Sequence, residues 1–291
     1  MAALIHSIRI TGLAIKGVPR EATIKVGEGH RSIITKADAF SNESVFGSLA
    51  NFSNLRILCE EEISDERAIS KENPVGIFNG QRVVFDPLDG STLFARHDPE
   101  WCIGAGLFEE GTATATVITT PQANGGTTLF SFDGTVHVME GSGDVKTVGA
   151  MVEKPLKECT ILRGVDTELY ANVLTIMPKV AASVRAVDMK GSGHYGLMSV
   201  ALGRADAIIQ TPQKPWDWAP AYHAVTTAGG VFQFFRLKDG VLIPVDSYDE
   251  RAFKAGKENR LGFVAGESSL VERLFSLLPR SGWERHDPDT I

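Results

Sequence analysis

The chain has 291 residues, of which 43% are hydrophobic and 22% are charged, a composition typical of a folded globular protein. Acidic side chains outnumber basic ones by 36 to 29, and Lys and Arg form no cluster of the kind that binds a phosphate backbone. A nucleic acid polymer is therefore excluded as the expected partner. No apolar run is long enough to cross a bilayer, and the N-terminus does not resemble a signal peptide, so we also expect no membrane partner.

The chain has three cysteines, Cys59, Cys102 and Cys159. Their number is odd, their spacing is wide and no CxxC pair occurs, so the sequence indicates neither a disulfide framework nor a zinc site. Free thiols of this kind are typical of a reducing compartment. We therefore predict a cytoplasmic location.

Alternating apolar and polar residues in the first half of the chain predict a largely antiparallel sheet. Glu110-Gly111 and Asp133-Gly134 stand between apolar or β-branched runs, where residues that tolerate positive φ indicate hairpin turns. The predicted strands cover residues 82–85, 101–108, 112–119, 127–132 and 135–139. A polar, glycine-rich stretch over residues 140–149 follows them.

The second half of the chain alternates between strand and helix patterns, which predicts an α/β arrangement. We expect strands over residues 160–162, 183–187, 207–209 and 261–265, and helices over residues 168–177, 195–202 and 219–227. A last helix is expected to begin at Ser268 or Ser269 as its cap. The predicted fold is α/β, with a mostly antiparallel N-terminal lobe (residues 1–150) and a smaller C-terminal lobe (residues 151–291) meeting near Ala150.

Acidic residues follow three apolar segments of the chain. Asp86-Pro87-Leu88-Asp89-Gly90 follows the strand at residues 82–85, Glu60-Glu61-Glu62 follows residues 55–59, and Asp217 follows Trp216. An Asp-Pro-x-Asp-Gly run alone is also a common turn sequence. Two carboxylates about 5 Å apart repel each other by roughly 3 kcal/mol at an effective dielectric near 20, so a convergence of all these groups needs divalent cations. Hard oxygen ligands suit Mg²⁺, and the expected chemistry is phosphoryl transfer to water.

The order of these segments resembles that of the inositol monophosphatase family. The resemblance rests on Lys36-Ala37-Asp38, Glu60-Glu61, Asp86 to Ser91, Trp216-Asp217 and Ala228-Gly229-Gly230. It implies a layered αβαβα sandwich, two or three Mg²⁺ ions, a small phosphorylated substrate and a homodimer. It also implies metal binding by Glu60, Glu61, Asp86, the Leu88 carbonyl, Asp89 and Asp217.

The resemblance assigns catalysis to Asp38 and Ser91, which would orient and activate the nucleophilic water, together with Glu60. The backbone amides of Gly90 and Ser91 would hold the phosphate, because amide donors stabilise developing negative charge.

The resemblance also implies that the substrate's alcohol contacts a second group of residues, namely Gly191, Ser192, Gly193, His194 and Gln210. Gln210 stands where inositol-specific members carry a glutamate, so a polyol remains possible but strict inositol specificity does not follow. His194 has two open interpretations, a structural hydrogen-bonding residue or a substrate contact. Lys36 is either a phosphate contact or a solvated lysine, and Pro220 is expected in the first turn of its helix.

The sequence therefore predicts a magnesium-dependent phosphatase for a phosphate ester of inositol, a sugar, histidinol or a related alcohol. One alternative is a phosphatase that removes the 3′-phosphate from phosphoadenosine phosphate. Another is a metal-binding regulatory protein that has kept the fold and lost turnover.

Overall fold

The computed structural model describes residues 1–25, 33–52, 54–61, 64–71, 78–254 and 256–284. Glu62 of the acidic run lies outside these ranges. The α-helices within them are α1 (Ala2–Ile15), α2 (Lys36–Ser48), α3 (Ser91–Ala95), α4 (Ala171–Ser183), α5 (Gly193–Ala201), α6 (Pro215–Thr227) and α7 (Ser268–Leu277). None of the helices in the described ranges is both long and apolar enough to cross a membrane.

The strands form one two-stranded and two larger sheets. They are β1 (Ala22–Ile24), β2 (Ile33–Thr35), β3 (Arg56–Cys59), β4 (Gln81–Asp89), β5 (Cys102–Glu109), β6 (Thr112–Thr120), β7 (Thr127–Phe132), β8 (Thr135–Glu140), β9 (Val145–Thr147), β10 (Thr160–Gly164), β11 (Ala186–Lys190), β12 (Ala207–Gln213), β13 (Val231–Lys238), β14 (Val241–Val245) and β15 (Leu261–Gly266).

The first large sheet has seven strands in the order β3-β4-β5-β6-β7-β8-β9. Strands β3 and β4 are parallel, and every later pair is antiparallel. Both predicted hairpin turns are confirmed, because Glu110 and Asp133 have φ values of 47° and 49° and are each followed by a glycine at positive φ. This sheet is built from residues that precede Ala150.

The second large sheet has six strands in the order β11-β10-β12-β15-β13-β14, all from residues after Ala150. Strand β10 is parallel to β11 and β12, whereas β15 runs antiparallel to β12 and β13. The division of the chain into two lobes at Ala150 stays a prediction.

The helices and sheets alternate in five layers, as the α/β sandwich prediction required. On β4, Val83 and Phe85 are buried against α1 and α2, while Val84 faces α5 and α6. On β12, Ile208 faces α5 and α6, while Ile209 is buried against α4 and α7. Neighbouring residues of a strand point to opposite faces, so each sheet is buried on both sides. Complete burial of such a side chain contributes about 1.5–3 kcal/mol.

Helix α6 begins at Pro215, four residues before its predicted start. Pro215 occupies the first helical position, where its missing N–H would have no helical partner in any case. The expectation that Pro220 lies in the first turn was wrong, because it lies inside the helix. Its ring leaves the carbonyl of Trp216, four residues earlier, without the usual backbone donor.

Other elements also differ from the prediction. Residues 165–169 form a 3₁₀ turn, and α4 starts only after Tyr170, whose extended backbone (φ −122°, ψ 102°) separates the two. The strand predicted over residues 183–187 begins at Ala186. Strand β9 lies inside the polar stretch for which no strand was predicted.

The cap of α7 is Glu267, so the prediction of Ser268 or Ser269 as the cap was wrong. The Glu267 carboxylate accepts hydrogen bonds from the backbone N–H groups of Ser269 and Leu270, both at 3.0 Å. A carboxylate at this position satisfies free amides of the first turn and interacts favourably with the helix dipole.

Candidate active site

The acidic segments meet at the ends of neighbouring elements. Strands β3 and β4 are parallel, so Glu60 and Glu61, which follow β3, lie beside the end of β4. The Glu60 N–H donates to the Phe85 carbonyl at 3.1 Å, which fixes this approach. Asp217 lies in the first turn of α6, which packs against β4.

Strand β4 ends irregularly at the two aspartates. Its register with β5 shifts between Asp86 and Asp89, as at a β-bulge. Asp86 is 1% exposed, and its Oδ1 accepts a hydrogen bond from the Leu88 N–H at 2.9 Å. The bulge therefore holds the carboxylate of Asp86 in the protein interior.

Gly90 makes the turn from β4 into α3. Its φ of 89° and ψ of 40° are left-handed, a conformation that glycine adopts without the strain of a side chain. A Cβ at this position would also lie 3.3 Å from the Cβ of Ser192. The turn thus brings the start of α3 against the loop before α5. That the Gly90 and Ser91 amides hold phosphate stays a prediction.

Ser91 and Asp38 form a hydrogen-bonded pair across two elements. The Ser91 hydroxyl lies 3.0 Å from Asp38 Oδ1 and 3.0 Å from the Leu88 carbonyl, and can donate to either. Asp38 is fully buried in the first turn of α2, where its Oδ2 accepts from the N–H and the hydroxyl of Thr35, both at 2.7 Å. Burial raises the pKa of Asp38 to about 6, so the carboxylate is ionised at neutral pH.

Asp89 connects β4 to the start of α5. Its Oδ2 accepts hydrogen bonds from the Ser192 hydroxyl at 2.7 Å and from the His194 N–H at 2.5 Å. Ser192 also caps α5 by accepting from the Tyr195 N–H at 3.0 Å. One oxygen of Asp89 is thereby fixed by the protein.

The His194 imidazole is completely buried beneath the site. Its Nε2 lies 2.8 Å from the Trp216 carbonyl, the same carbonyl that Pro220 leaves without a helical donor. A carbonyl can only accept, so Nε2 carries the hydrogen and Nδ1 is bare, 3.7 Å from Asp89 Oδ2. Burial lowers the pKa of His194 and keeps it neutral. This geometry favours the hydrogen-bonding interpretation, and direct contact with substrate stays a prediction.

We expect His194→Ala to lower the free energy of unfolding by about 1–3 kcal/mol, because the buried Trp216 carbonyl would lose its donor. Pro220→Ala should recover part of this loss in the His194→Ala background, since alanine supplies a backbone N–H to the same carbonyl. Denaturant unfolding of the original protein, the two single variants and the double variant measures the coupling free energy between His194 and Pro220. Strictly additive single effects would show that the two residues act independently.

The acidic residues repel one another strongly in the metal-free protein. Burial raises the pKa of Asp86 far above its usual range, and Glu60, Asp89 and Asp217 raise it further. Burial also raises the pKa of Asp217 to about 8, with Glu60 adding to the effect. A group of buried carboxylates with these raised pKa values favours the binding of a divalent cation, whose charge would offset their mutual repulsion.

Within the described ranges, no three His, Cys, Asp or Glu side chains are already arranged as a closed cation site. Glu60 and Glu61 are instead paired with Lys25, whose ammonium group donates to both and lies 2.9 Å from Glu60 Oε1. The donor chemistry nevertheless fits Mg²⁺, because buried carboxylates and a carbonyl are the hard oxygen ligands that this ion prefers.

Lys25 is a contact of the acidic cluster that the sequence did not predict. It lies just after a three-residue strand, and an isolated lysine there carries no pattern that distinguishes it from a solvated one. Lys36, in contrast, forms an exposed ion pair with Glu21 at 2.8 Å, with a side chain that is 65% exposed. The solvated interpretation of Lys36 is therefore the better one.

A pocket extends from Asp89 and Asp217 towards the loop before α5. Gly191, Gly193 and Gln210 line it, so three of the five residues predicted on the alcohol side reach this space. Ser192 and His194 lie beneath it and are 1% and 0% exposed. The substrate roles of all five stay predictions.

Comparisons with known proteins agree with this architecture. The model of the inositol monophosphatase family matches residues 2–262. The chain is similar to an inositol-1-monophosphatase of Bacillus subtilis, with 26% identity over 235 residues that cover 77% of this chain and 81% of the relative. It is also 25% identical to a putative Nus factor SuhB of Neisseria meningitidis over 193 residues, 64% of this chain and 67% of that protein.

A solved structure shows the same fold. Thermotoga maritima IMPase TM1415 superimposes with a TM-score of 0.69 at 18% identity, covering 94% of each chain. The family match extends from α1 to the start of β15 and includes every acidic segment described above. The chain therefore belongs to the inositol monophosphatase family and is a phosphatase of that family.

Proposed function

We propose that the protein is a magnesium-dependent phosphatase that hydrolyses the phosphate monoester of a small alcohol, such as inositol, a sugar, histidinol or a related compound. The observation that carries this proposal is the Ser91–Asp38 pair, whose 3.0 Å contact lies against the Leu88 carbonyl at the edge of the acidic cluster. A hydroxyl backed by a buried carboxylate is an effective proton acceptor for an attacking water.

The Mg²⁺ ions, two or three in number, would be held by six residues. Bound Mg²⁺ would neutralise the acidic cluster, lower the pKa of an attacking water and stabilise the charge that develops on the phosphate. The residues are Glu60, Glu61, Asp86, Leu88 through its carbonyl, Asp89 and Asp217.

The protein's own groups then move the proton. The Ser91 Oγ accepts a proton from the water while its own hydrogen passes to Asp38 Oδ1. The water oxygen forms a bond to phosphorus as the bond from phosphorus to the alcohol oxygen breaks. The departing alcohol oxygen takes up a proton from solvent water, and Asp38 then returns its proton to solvent. The two hydrogen bonds from Thr35 hold Asp38 Oδ2, so only Oδ1 is directed at Ser91. The Gly90 and Ser91 amides would bind the phosphate oxygens.

One of the relatives described above is named as an enzyme, and the other is not. The Bacillus subtilis relative is named for inositol-1-phosphate hydrolysis, whereas the Neisseria relative is named as a Nus factor. A regulatory protein without turnover would not need a buried carboxylate aligned on a serine hydroxyl. The intact Ser91–Asp38 pair therefore favours an enzyme. The cytoplasmic location and the homodimer remain predictions from the sequence.

A phosphate-release assay tests the proposal directly. Inositol phosphate, sugar phosphates, histidinol phosphate and phosphoadenosine phosphate are each incubated with the protein and Mg²⁺, with Ca²⁺, or after exhaustive chelation. We expect turnover with Mg²⁺ only, because Ca²⁺ accepts a looser ligand geometry that misplaces the nucleophile. Full turnover after chelation would rule out the metal-dependent mechanism. Preference for phosphoadenosine phosphate would select the nucleotide-directed alternative.

A further inference from the structure

The pocket beside Asp89 and Asp217 has a far wall whose charge is set by two residues outside the acidic cluster. Asp166 follows β10 in the 3₁₀ turn, and Lys190 is the last residue of β11. Both line the pocket together with Gln210. We call this wall, formed by Asp166, Lys190 and Gln210, the distal wall.

Lys190 is not available as an anion receptor. Its ammonium group lies 3.0 Å and 3.2 Å from the two carboxylate oxygens of Glu100, and 2.9 Å from Asp188 Oδ2. It also lies 5.3 Å from the centre of the Tyr195 ring. Two carboxylates against one ammonium leave this group with a net charge of −1. A second phosphate or a carboxylate on the substrate would therefore meet a negative field.

Asp166 carries an uncompensated charge. Among the described residues its carboxylate has no hydrogen-bond or ion-pair partner, although the side chain is half-buried at the pocket. Glu168, two residues later in the same turn, is paired with Arg163 at 3.2 Å. The turn thus presents one neutralised carboxylate outside the pocket and one free carboxylate inside it.

Gln210 provides a second, independent indication of a ligand. It is 4% exposed, and in the described part of the chain its side-chain amide has no hydrogen-bond partner. The amide is held against the backbone of Gly164, where a Cβ would lie only 1.7 Å from Oε1. The amide atoms open into the pocket rather than being enclosed by protein, so they are free to donate to or accept from a ligand bound there.

We propose that the distal wall binds the ammonium group of an amino alcohol phosphate, with Asp166 as its ionic partner and Gln210 as its hydrogen-bonding partner. The inference rests on the proposed phosphatase function, because it takes the phosphate to lie at the Asp89 and Asp217 end. The enzyme would then disfavour esters that carry a second anionic group.

Three esters of equal length test this proposal. Serinol phosphate, glycerol 1-phosphate and 3-phosphoglycerate present an ammonium, a hydroxyl or a carboxylate group on a three-carbon chain. We expect kcat/KM to be highest for serinol phosphate, by at least roughly tenfold over glycerol 1-phosphate, and lowest for 3-phosphoglycerate. Asp166→Asn should reduce the ratio of kcat/KM for serinol phosphate to that for glycerol 1-phosphate at least roughly tenfold. Asp166→Lys should make 3-phosphoglycerate a better substrate than serinol phosphate.

Glu168→Gln is the matched control, because it removes the same charge from the same turn outside the pocket, and it should leave all three ratios unchanged. Equal kcat/KM for the three esters would overturn the inference. So would a preference for 3-phosphoglycerate that Lys190→Met abolishes, since Lys190 would then be the receptor for an anion. Hydrolysis of 4-nitrophenyl phosphate distinguishes failure of this inference from failure of the proposed function. If this ester is hydrolysed while the three test esters show no charge preference, only the inference fails. If it is not hydrolysed, the proposed function fails as well.

Discussion

Asp89→Asn is expected to lower kcat at least about a hundredfold while the fold remains intact. The amide is nearly isosteric with the carboxylate, and its oxygen can still accept from the Ser192 hydroxyl and the His194 N–H. The other position becomes an NH₂ group, which cannot bind a metal ion, and one negative charge is lost beside Asp86 and Asp217. The loss should therefore appear in turnover rather than in folding.

Asp133→Asn is a suitable control for this variant. It makes the same chemical change in the hairpin turn between β7 and β8, where asparagine tolerates the positive φ of 49°. Its kcat should stay within about twofold of the original value, and both variants should give the original circular dichroism spectrum. Near-normal turnover by Asp89→Asn would mean that the metal site lies elsewhere.

The elements of the fold that could be predicted are those determined by residues close together in the sequence. Glu110-Gly111 and Asp133-Gly134 determine their hairpins through φ angles that few other residue pairs adopt, so the antiparallel sheet could be predicted with small errors at its ends. The start of α6 was missed because Trp216 and Asp217 look like a strand end followed by a turn. Only packing against β4 and β5 shows that they are already helical.

The sequence indicated which acidic residues form the candidate site, but not the contacts that hold the surrounding side chains in place. Asp86 and Asp89 belong to one short run, so their convergence follows from the turn they occupy. The partnership of His194 with the Trp216 carbonyl requires Pro220 to lie inside α6 and α5 to pack beside it. Such a contact depends on the relative position of two helices, and no periodicity in the sequence encodes it.

The metal-free protein should lose stability as the pH rises from about 6.5 to 7.5. Burial raises the pKa of Asp217 to about 8, against an ordinary value of 3.8, so in this range the folded state keeps a proton that the unfolded state has released. Stability falls with pH wherever the folded state binds more protons. One such proton corresponds to about 1.4 kcal/mol per pH unit, and Asp86, whose pKa is also raised, acts in the same direction.

The choice of pH range separates this effect from that of the buried histidines. Burial lowers the pKa of His194 and His223 below 6.5, so they favour the folded state more as the pH rises, but only up to about 6.5. Thermal unfolding from pH 6.5 to 7.5 should therefore show a midpoint that falls by about 2–4 °C in the metal-free protein. Saturating Mg²⁺ should raise the midpoint and remove the decline, because the ion takes the place of the retained protons. Without Mg²⁺, Asp217→Asn should reduce the fall of the unfolding midpoint with pH. If the midpoint of the metal-free original protein instead rose from about pH 6.5 to 7.5, Asp86 and Asp217 would not share the buried site described above.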